Sequence, residues 1–340
     1  MWPVHRLEWH YRSQDRRLID WPAEHAYAGR LRTFPSPRDV GAYRVESAPV
    51  TENDHGLVAQ TVRTILLAAR LRPKESLGVV TLTPDLADRI RSALARAMDS
   101  SVEEFFGDLA AEPFVVLDAA HTTGLVRDAV LVVLGQNSPA EVAGPKGAAL
   151  LNAALTRSRA RTTVIHSLDP RSVRGDAGEG PARAGLRLLA DSLSPVPPPA
   201  AASTPSVLIA DLARRLIARG LSAKPGLAPG IVDLAVSDPF ARGAARLAVQ
   251  VDGPGYAALG SIRMRDRLVQ EQLRRLGWRP LKILEVDLFR DPAREEARIV
   301  AAMERLAAGD VRTGPIPRPR RAVRAATGGA PDAGAPHGAA

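Results

Sequence analysis

The sequence contains no cysteine, so disulfides, zinc–thiolate sites and cysteine-ligated iron–sulfur clusters are excluded. No stretch reaches the roughly 18 consecutive apolar residues of a membrane-spanning helix. The opening residues, MWPVHRLEWHYRS, are too polar for a secretory signal, and a cytoplasmic protein is expected. No GxxxxGK[ST] string occurs anywhere. Without one there is no glycine-rich loop to cradle the β- and γ-phosphates of a nucleotide, and ATP hydrolysis by this chain alone is not expected. Aromatics are scarce, at 4% of residues. Yet Trp2, Trp9, Tyr11, Trp21, Tyr27, Phe34 and Tyr43 all fall near the start, among Arg6, Arg12, Arg16, Arg17, Arg30 and Arg32. Rings interleaved with guanidinium groups can stack bases and hold phosphates. They can equally form a small core with a solvated arginine face.

What is present is a chain of 340 residues, 45% hydrophobic and 24% charged, long enough for two ordinary domains. Its 46 Lys and Arg outnumber 37 Asp and Glu, giving a net charge of +9. The cations are mainly arginine, whose planar fork suits phosphate. DNA or another nucleic acid is the partner this balance favours, and no membrane partner is expected. An arginine- and alanine-rich genomic bias would leave the same imprint.

Apolar residues recur at helical spacing from Asp54 to Leu71, with Asp54 as the expected N-cap and Pro73 as the stop. A buried strand over Ser76–Thr83 and a helix over Pro84–Met98 follow. Next come two β-branched runs in EPFVVLDAAHTTGLVRDAVLVVLG, and a helix turning into a strand in ALLNAALTRSRARTTVIHSL. This alternation predicts a doubly wound parallel α/β sheet.

Three strings in this part resemble motifs of superfamily 1 helicases. WHYRSQDRRLIDWPAEHAYAGRLRTFPSP resembles motif IV, AHTTGLVRDAVLVV motif V and LLNAALTRSRARTTVI motif VI. The resemblance implies that residues 1–168 form the second RecA-like lobe of a P-loop NTPase fold, without its Walker A loop. It also implies nucleotide contacts from Arg12, Gly124, Arg157 and Arg159, with Arg157 stabilising charge on a transferring phosphoryl group. Gly124 and Asp128 match motif V, whereas Val126 stands where an acid is usual. Read without the resemblance, TRSRAR is a basic helix end complementing the helix dipole. The chain starts at motif IV, so a truncated or split helicase is expected, with ATP bound only if a partner supplies a separate P-loop lobe.

From Asp169 to Pro205 the composition turns to Pro, Gly, Ser and Ala, marking a linker, although a short helix over Ala182–Ser192 is assignable to the first domain. A second domain spans 206–308. It reads as a helix closed by Gly220, a hairpin of GIVDLAVSD and ARLAVQVDG, a helix ended by Gly277, a strand over Pro280–Val286 and a last helix over Pro292–Ala308. The order αββαβα predicts a smaller α/β domain with a mixed sheet. Residues 309–340 read as a disordered tail carrying Arg312, Arg318, Arg320, Arg321 and Arg324. An acid inside an apolar strand is costly unless compensated, which makes Asp233 and Asp252 candidates for a metal or catalytic site. Acids at strand ends can instead be satisfied by backbone donors.

IVDLAVSDP, VQVDGPGY, RDRLVQEQLRRLGW and VDLFRDP resemble the Vsr-like branch of the PD-(D/E)XK restriction-endonuclease superfamily, in the version fused to large superfamily 1 helicases. Asp233 matches the acid of the family's IDLAV strand, Asp252 and Gly253 its DG, and Tyr256 its tyrosine. The resemblance implies a restriction-endonuclease-like fold, DNA repair or defence as the setting, and magnesium held by Asp233 and Asp252. The departures fall on the chemistry: Gln250 replaces a glutamate, Ala257 a histidine and Ile209 a helix glutamate. Metal-assisted hydrolysis needs hard charged oxygens and a group to activate water. Two acids imply weak magnesium binding and a degenerate centre formed by Asp233, Gln250 and Asp252. Two alternatives are an active endonuclease rebuilt around Asp211, Asp238 or Glu285, and a non-catalytic interaction protein or decaying gene product. Arg263 and Arg267, on neighbouring helical turns, are the expected phosphate contacts.

Overall fold

The long apolar runs find their partners in two separate sheets. The protein is represented by a computed structural model that describes residues 8–37, 41–107, 110–144, 146–169, 173, 181–194, 204–240 and 246–308. The expected basic tail, Trp2, Arg6 and most of the proline-rich linker lie outside the described residues. The fold is α/β, a parallel five-stranded sheet plus a mixed four-stranded sheet.

The first sheet comprises β1 (Tyr43–Ser47), β2 (Leu77–Thr81), β3 (Val115–Asp118), β4 (Arg127–Leu134) and β5 (Ser158–His166), in the order β1-β5-β4-β2-β3 with every pair parallel. Strand β4 ends in AVLVVL, six consecutive buried residues, because helices cover both faces. Helices His55–Leu71 and Pro84–Ala97 pack on the face bearing Val79, Leu131, Val133 and Ile165. Helices Gly147–Leu155 and Pro181–Ser192, with Trp21 of helix Asp20–Tyr27, pack on the face bearing Val80, Val130, Val132 and Val164. The helix inside the expected linker thus belongs to this first core, and the Tyr43 hydroxyl donates to the Ser192 carbonyl at 2.7 Å.

Asp54 precedes its helix but does not cap it. It has a left-handed backbone (φ 55°) and makes no side-chain cap. Its carboxylate accepts instead from Ser167 Oγ at 2.6 Å and from the Gln136 N–H, tying the helix start to the ends of β4 and β5.

The second sheet runs β6 (Ser222–Ala228), β7 (Val232–Ser237), β8 (Arg246–Val251), β9 (Trp278–Ile283), antiparallel except for the parallel β8–β9 pair. The order αββαβα omitted β6. Pro225 and Gly226 mask it in the sequence, and an edge strand tolerates a proline because its outer side needs no ladder donor. The strand expected over Pro280–Val286 also shifts. It begins at Trp278 and stops at Ile283, and Glu285–Arg290 is a helix whose first N–H is taken by the Asp252 carboxylate at 2.6 Å. One face of this sheet packs on helices Val207–Ala218 and Pro292–Ala307, the other on helix Val269–Leu276.

Residues 8–37 reach both cores. Trp21 packs in the first, whereas Phe34, 2% exposed, packs in the second with Val232, Ala248, Leu273 and Trp278. Trp278 Nε1 donates to the Pro35 carbonyl at 2.7 Å, and Gln272 Nε2 to the Tyr11 carbonyl at 3.1 Å. No helix among the described residues is long and apolar enough to cross a membrane.

Candidate functional site

Gly230 is the knot of the nuclease-like centre. Its φ of +74° is left-handed, and a Cβ there would lie 2.3 Å from the Gly255 carbonyl, so only glycine lets the two loops meet. Its N–H donates to Asp233 Oδ1 at 2.7 Å, and its carbonyl accepts from Gln250 Nε2. The other Asp233 oxygen accepts from the Val251 N–H at 2.8 Å. Burial, foremost, pushes the Asp233 carboxyl above its usual range; the two N–H donors oppose this and the nearby Glu285 charge adds to it. Gln250 is fully buried, and its Oε1 accepts from Gln270 Nε2 at 2.7 Å. Both ends of its amide are therefore engaged inside the protein, one as donor and one as acceptor.

A cavity of about 220 Å³ lies beside this knot, with Ile209, Asp233, Val251, Gly253 and Glu285 in its wall. Asp252 faces the backbone of Glu285, and its Oδ1 serves as that helix's cap. The remaining acids weighed from sequence stand in other pairings: Asp211 binds Arg214 and Arg215 at 2.8 and 2.6 Å, and Asp238 accepts from the Phe240 N–H at 2.8 Å. Ala257 ends the short helix Pro254–Ala257.

Around Tyr256 lie two cations, Lys282 and Arg265, and one acid, Asp266, which accepts from the Tyr256 hydroxyl. Lys282 Nζ donates to the Tyr256 hydroxyl at 2.7 Å and to Asp266 at 2.9 Å, and lies 4.2 Å from the ring centroid. Burial pulls the Lys282 ammonium down, but the bonds to Tyr256 and Asp266 outweigh it and hold its pKa above the usual value. Arg265 stacks over the same ring at 5.1 Å. Arg263 and Arg267 are exposed on the π-helical turn Arg263–Leu268; Arg267 pairs with Glu271 at 3.1 Å, and Arg263 makes no ion pair among the described residues.

In the first region the arginines expected from sequence do converge. Arg12 donates to the Thr156 carbonyl. Arg157 donates to the Ala153 and Thr122 carbonyls and to Thr156 Oγ, at 2.8, 3.3 and 2.9 Å. Both cations cover the C-terminal end of helix Gly147–Leu155, where unpaired carbonyls favour positive charge. Neither has a carboxylate partner among the described residues, and Arg12 Nε is buried without any partner. Burial first, and then the Arg157 charge, hold the Arg12 guanidinium below its usual pKa. Arg159 differs: it is bound by Glu112 and by Asp128, with Ser76 Oγ at 3.2 Å, and its pKa is raised, chiefly by the Glu112 bond. Gly124 has φ +79° in the open turn before β4 and contributes backbone shape only.

Residues 209–303 match the REase_MTES_1575 family model. The second sheet and its helices are therefore a restriction-endonuclease-like domain. The crystal structure of the C-terminal domain of a possible DNA helicase from Lactobacillus plantarum WCFS1 is similar over 46% of this chain and 87% of that one, at 17% identity and a TM-score of 0.33. That score is too low to carry an argument. No curated protein matches the chain.

The donor set of the restriction-endonuclease-like domain fits magnesium poorly. Both Asp233 oxygens already accept N–H groups, Gln250 turns its carbonyl oxygen to Gln270, and among the described residues no three His, Asp or Glu side chains are grouped to hold a metal. Sequence reasoning missed Gln270, which carries no local signal. It named Glu285 as one of three spare acids, and the turn after β9 sets that acid beside Asp233 in the cavity wall. It also missed the pair of buried Asp118 and exposed His121, whose Nδ1 lies 2.7 Å from the carboxylate. That contact caps the turn after β3, with the Ala120 N–H on the other oxygen.

Proposed function

We propose that the chain is a nucleic-acid-binding protein in which a RecA-like lobe, residues 1–168 with helix Pro181–Ser192, supplies arginine contacts to phosphate, and a restriction-endonuclease-like domain, residues 206–308, keeps a nuclease frame with little or no cleavage chemistry. Residues 169–205 otherwise serve as linker, and 309–340 as a basic tail. The observation that carries the second part is Gln250. A glutamate in its place would turn a charged oxygen toward the Gly230 carbonyl, where the amide now donates a hydrogen bond. The centre is thus built around a neutral donor, not around a metal ligand.

Support for the first part comes from the arginines. The Arg157 charge adds to burial in lowering the proton affinity of Arg12, neither cation has an acid partner among the described residues, and Arg12 leaves a buried Nε unpaired. A phosphate group supplies the missing charge and acceptors. DNA repair or defence is the setting consistent with both halves. Incubation of the purified chain with single- and double-stranded DNA and magnesium or manganese tests the nuclease part. No cleavage is expected, and cleavage abolished by Asp252→Ala would overturn it.

One observation favours a second reading, an endonuclease with a rearranged site: Asp233 and Glu285 share the cavity wall. Cleavage abolished by Glu285→Gln but retained in Asp252→Ala would establish it.

A further inference from the structure

Helix Val269–Leu276 of the restriction-endonuclease-like domain touches both candidate sites. From one turn, Gln270 donates to Gln250 Oε1 at 2.7 Å. Two residues on, Gln272, 6% exposed, donates to the Tyr11 carbonyl at 3.1 Å, across 261 residues of sequence. Tyr11 is the residue before Arg12. The chain is held from the first region too: Ser13 Oγ donates to the Ser158 carbonyl at 3.4 Å, and the Gln14 N–H to the Arg159 carbonyl at 2.7 Å. Arg12 therefore projects from a segment pinned on one side by β5 and on the other by Gln272. The Tyr11 ring adds a second anchor, with its hydroxyl 3.9 Å from Met264 Sδ and its centroid 5.8 Å from that of the tilted Phe34 ring.

We propose that Gln272 is a positioning residue for the phosphate contact of Arg12, so that the restriction-endonuclease-like domain completes a binding site on the neighbouring lobe. This rests on the reading of Arg12 and Arg157 as phosphate ligands. A guanidinium whose aim depends on its backbone loses preorganisation when that backbone is released. Arg12 has a single hydrogen bond of its own, to Thr156, and a bare Nε, so little besides the pinned main chain fixes it. Arg157 depends on the domain much less, since each of its three nitrogens already has a partner within the first region. The helix has thereby acquired a function that needs no metal and no cleavage.

The group recognised is a phosphate, and two sources can supply it: a nucleotide's polyphosphate or a nucleic-acid backbone. The test is a double-mutant cycle on the full chain, with tripolyphosphate and fluorescent oligo(dT) as separate probes. Arg12→Ala is expected to weaken one of them about 10-fold or more, the loss of a charge-assisted hydrogen bond. Gln272→Met, which keeps length and burial but removes the donor, is expected to weaken the same probe about 3- to 10-fold. The pair together is expected to bind no worse than Arg12→Ala alone. Unchanged affinity in Gln272→Met, or losses that simply add, would overturn the proposal, because a general loosening of the fold acts independently of Arg12. Should Gln272→Met lose its cooperative melt, Gln272→Glu, equally long and still polar but facing the carbonyl with an acceptor, carries the same comparison. If the wild-type chain binds neither probe, the phosphate reading itself falls, and this inference with it.

Discussion

At the scale of single residues, the nuclease-like centre is held together by contacts between side chains and backbone. Asp233, Gln250 and Asp252 each answer a backbone group, buried for the first two and partly buried for Asp252. Gln250→Glu should therefore lower stability by about 1–3 kcal/mol, since a carbonyl loses its donor and meets a carboxylate; the melting temperature with and without a divalent cation checks this. Gly230→Ala should cost more than that, as left-handed strain adds to the contact with Gly255. His10 offers a pH test. Burial first, then the Arg12 charge, pull its pKa from 6.5 to about 4. In that window the unfolded chain takes up a proton that the folded chain refuses, so this contribution is complete above pH 6.5 and is lost as pH falls toward 4. Melting temperature should fall across that range, and less steeply in His10→Asn. The two acids were legible in sequence because charge inside an apolar strand stands out. Backbone donors were legible as an alternative to a metal, but which N–H groups they are was not, because such partners leave no trace in residue type.

Elements were readable where periodicity was clean. The helices over His55–Leu71 and Pro84–Ala97 lie within a residue of expectation, and the parallel alternation fixed the class of the first sheet. Reading failed at β6, where Pro225 and Gly226 disguise an edge strand, and at Glu285–Arg290, where an apolar run crosses from strand to helix without a break. A side chain thirty-three residues upstream, Asp252, decides that boundary. Among these elements the segment around Phe34 is the least local, since its side chain completes a core built by residues some two hundred positions later. Phe34→Ala should destabilise by about 3–5 kcal/mol, the usual cost of emptying a buried aromatic site. Trp278→Phe should cost about 1 kcal/mol by orphaning the Pro35 carbonyl. Chemical denaturation measures both.

For the whole molecule, the net charge of +9 and the exposed arginines on the π-helical turn predict that the proposed nucleic-acid affinity depends on salt. The logarithm of the association constant should fall linearly with the logarithm of salt concentration, and Arg263→Ala should reduce the slope by about one. Fluorescence titration across salt concentrations reads both. The two regions should also melt as one unit in the wild-type chain and separate in Phe34→Ala, as calorimetry would show.

The bridge from Pro35 to Trp278 spans 243 residues of sequence. A ribosome adding about 5–20 residues per second needs roughly 12–50 s to cover that distance. Because both segments pass through the same exit tunnel, Phe34 emerges from the ribosome about that long before the surface that covers it. The nascent chain therefore carries an uncovered aromatic for tens of seconds at every round of synthesis, and slowing or pausing translation before residue 278 would lengthen its exposure to aggregation.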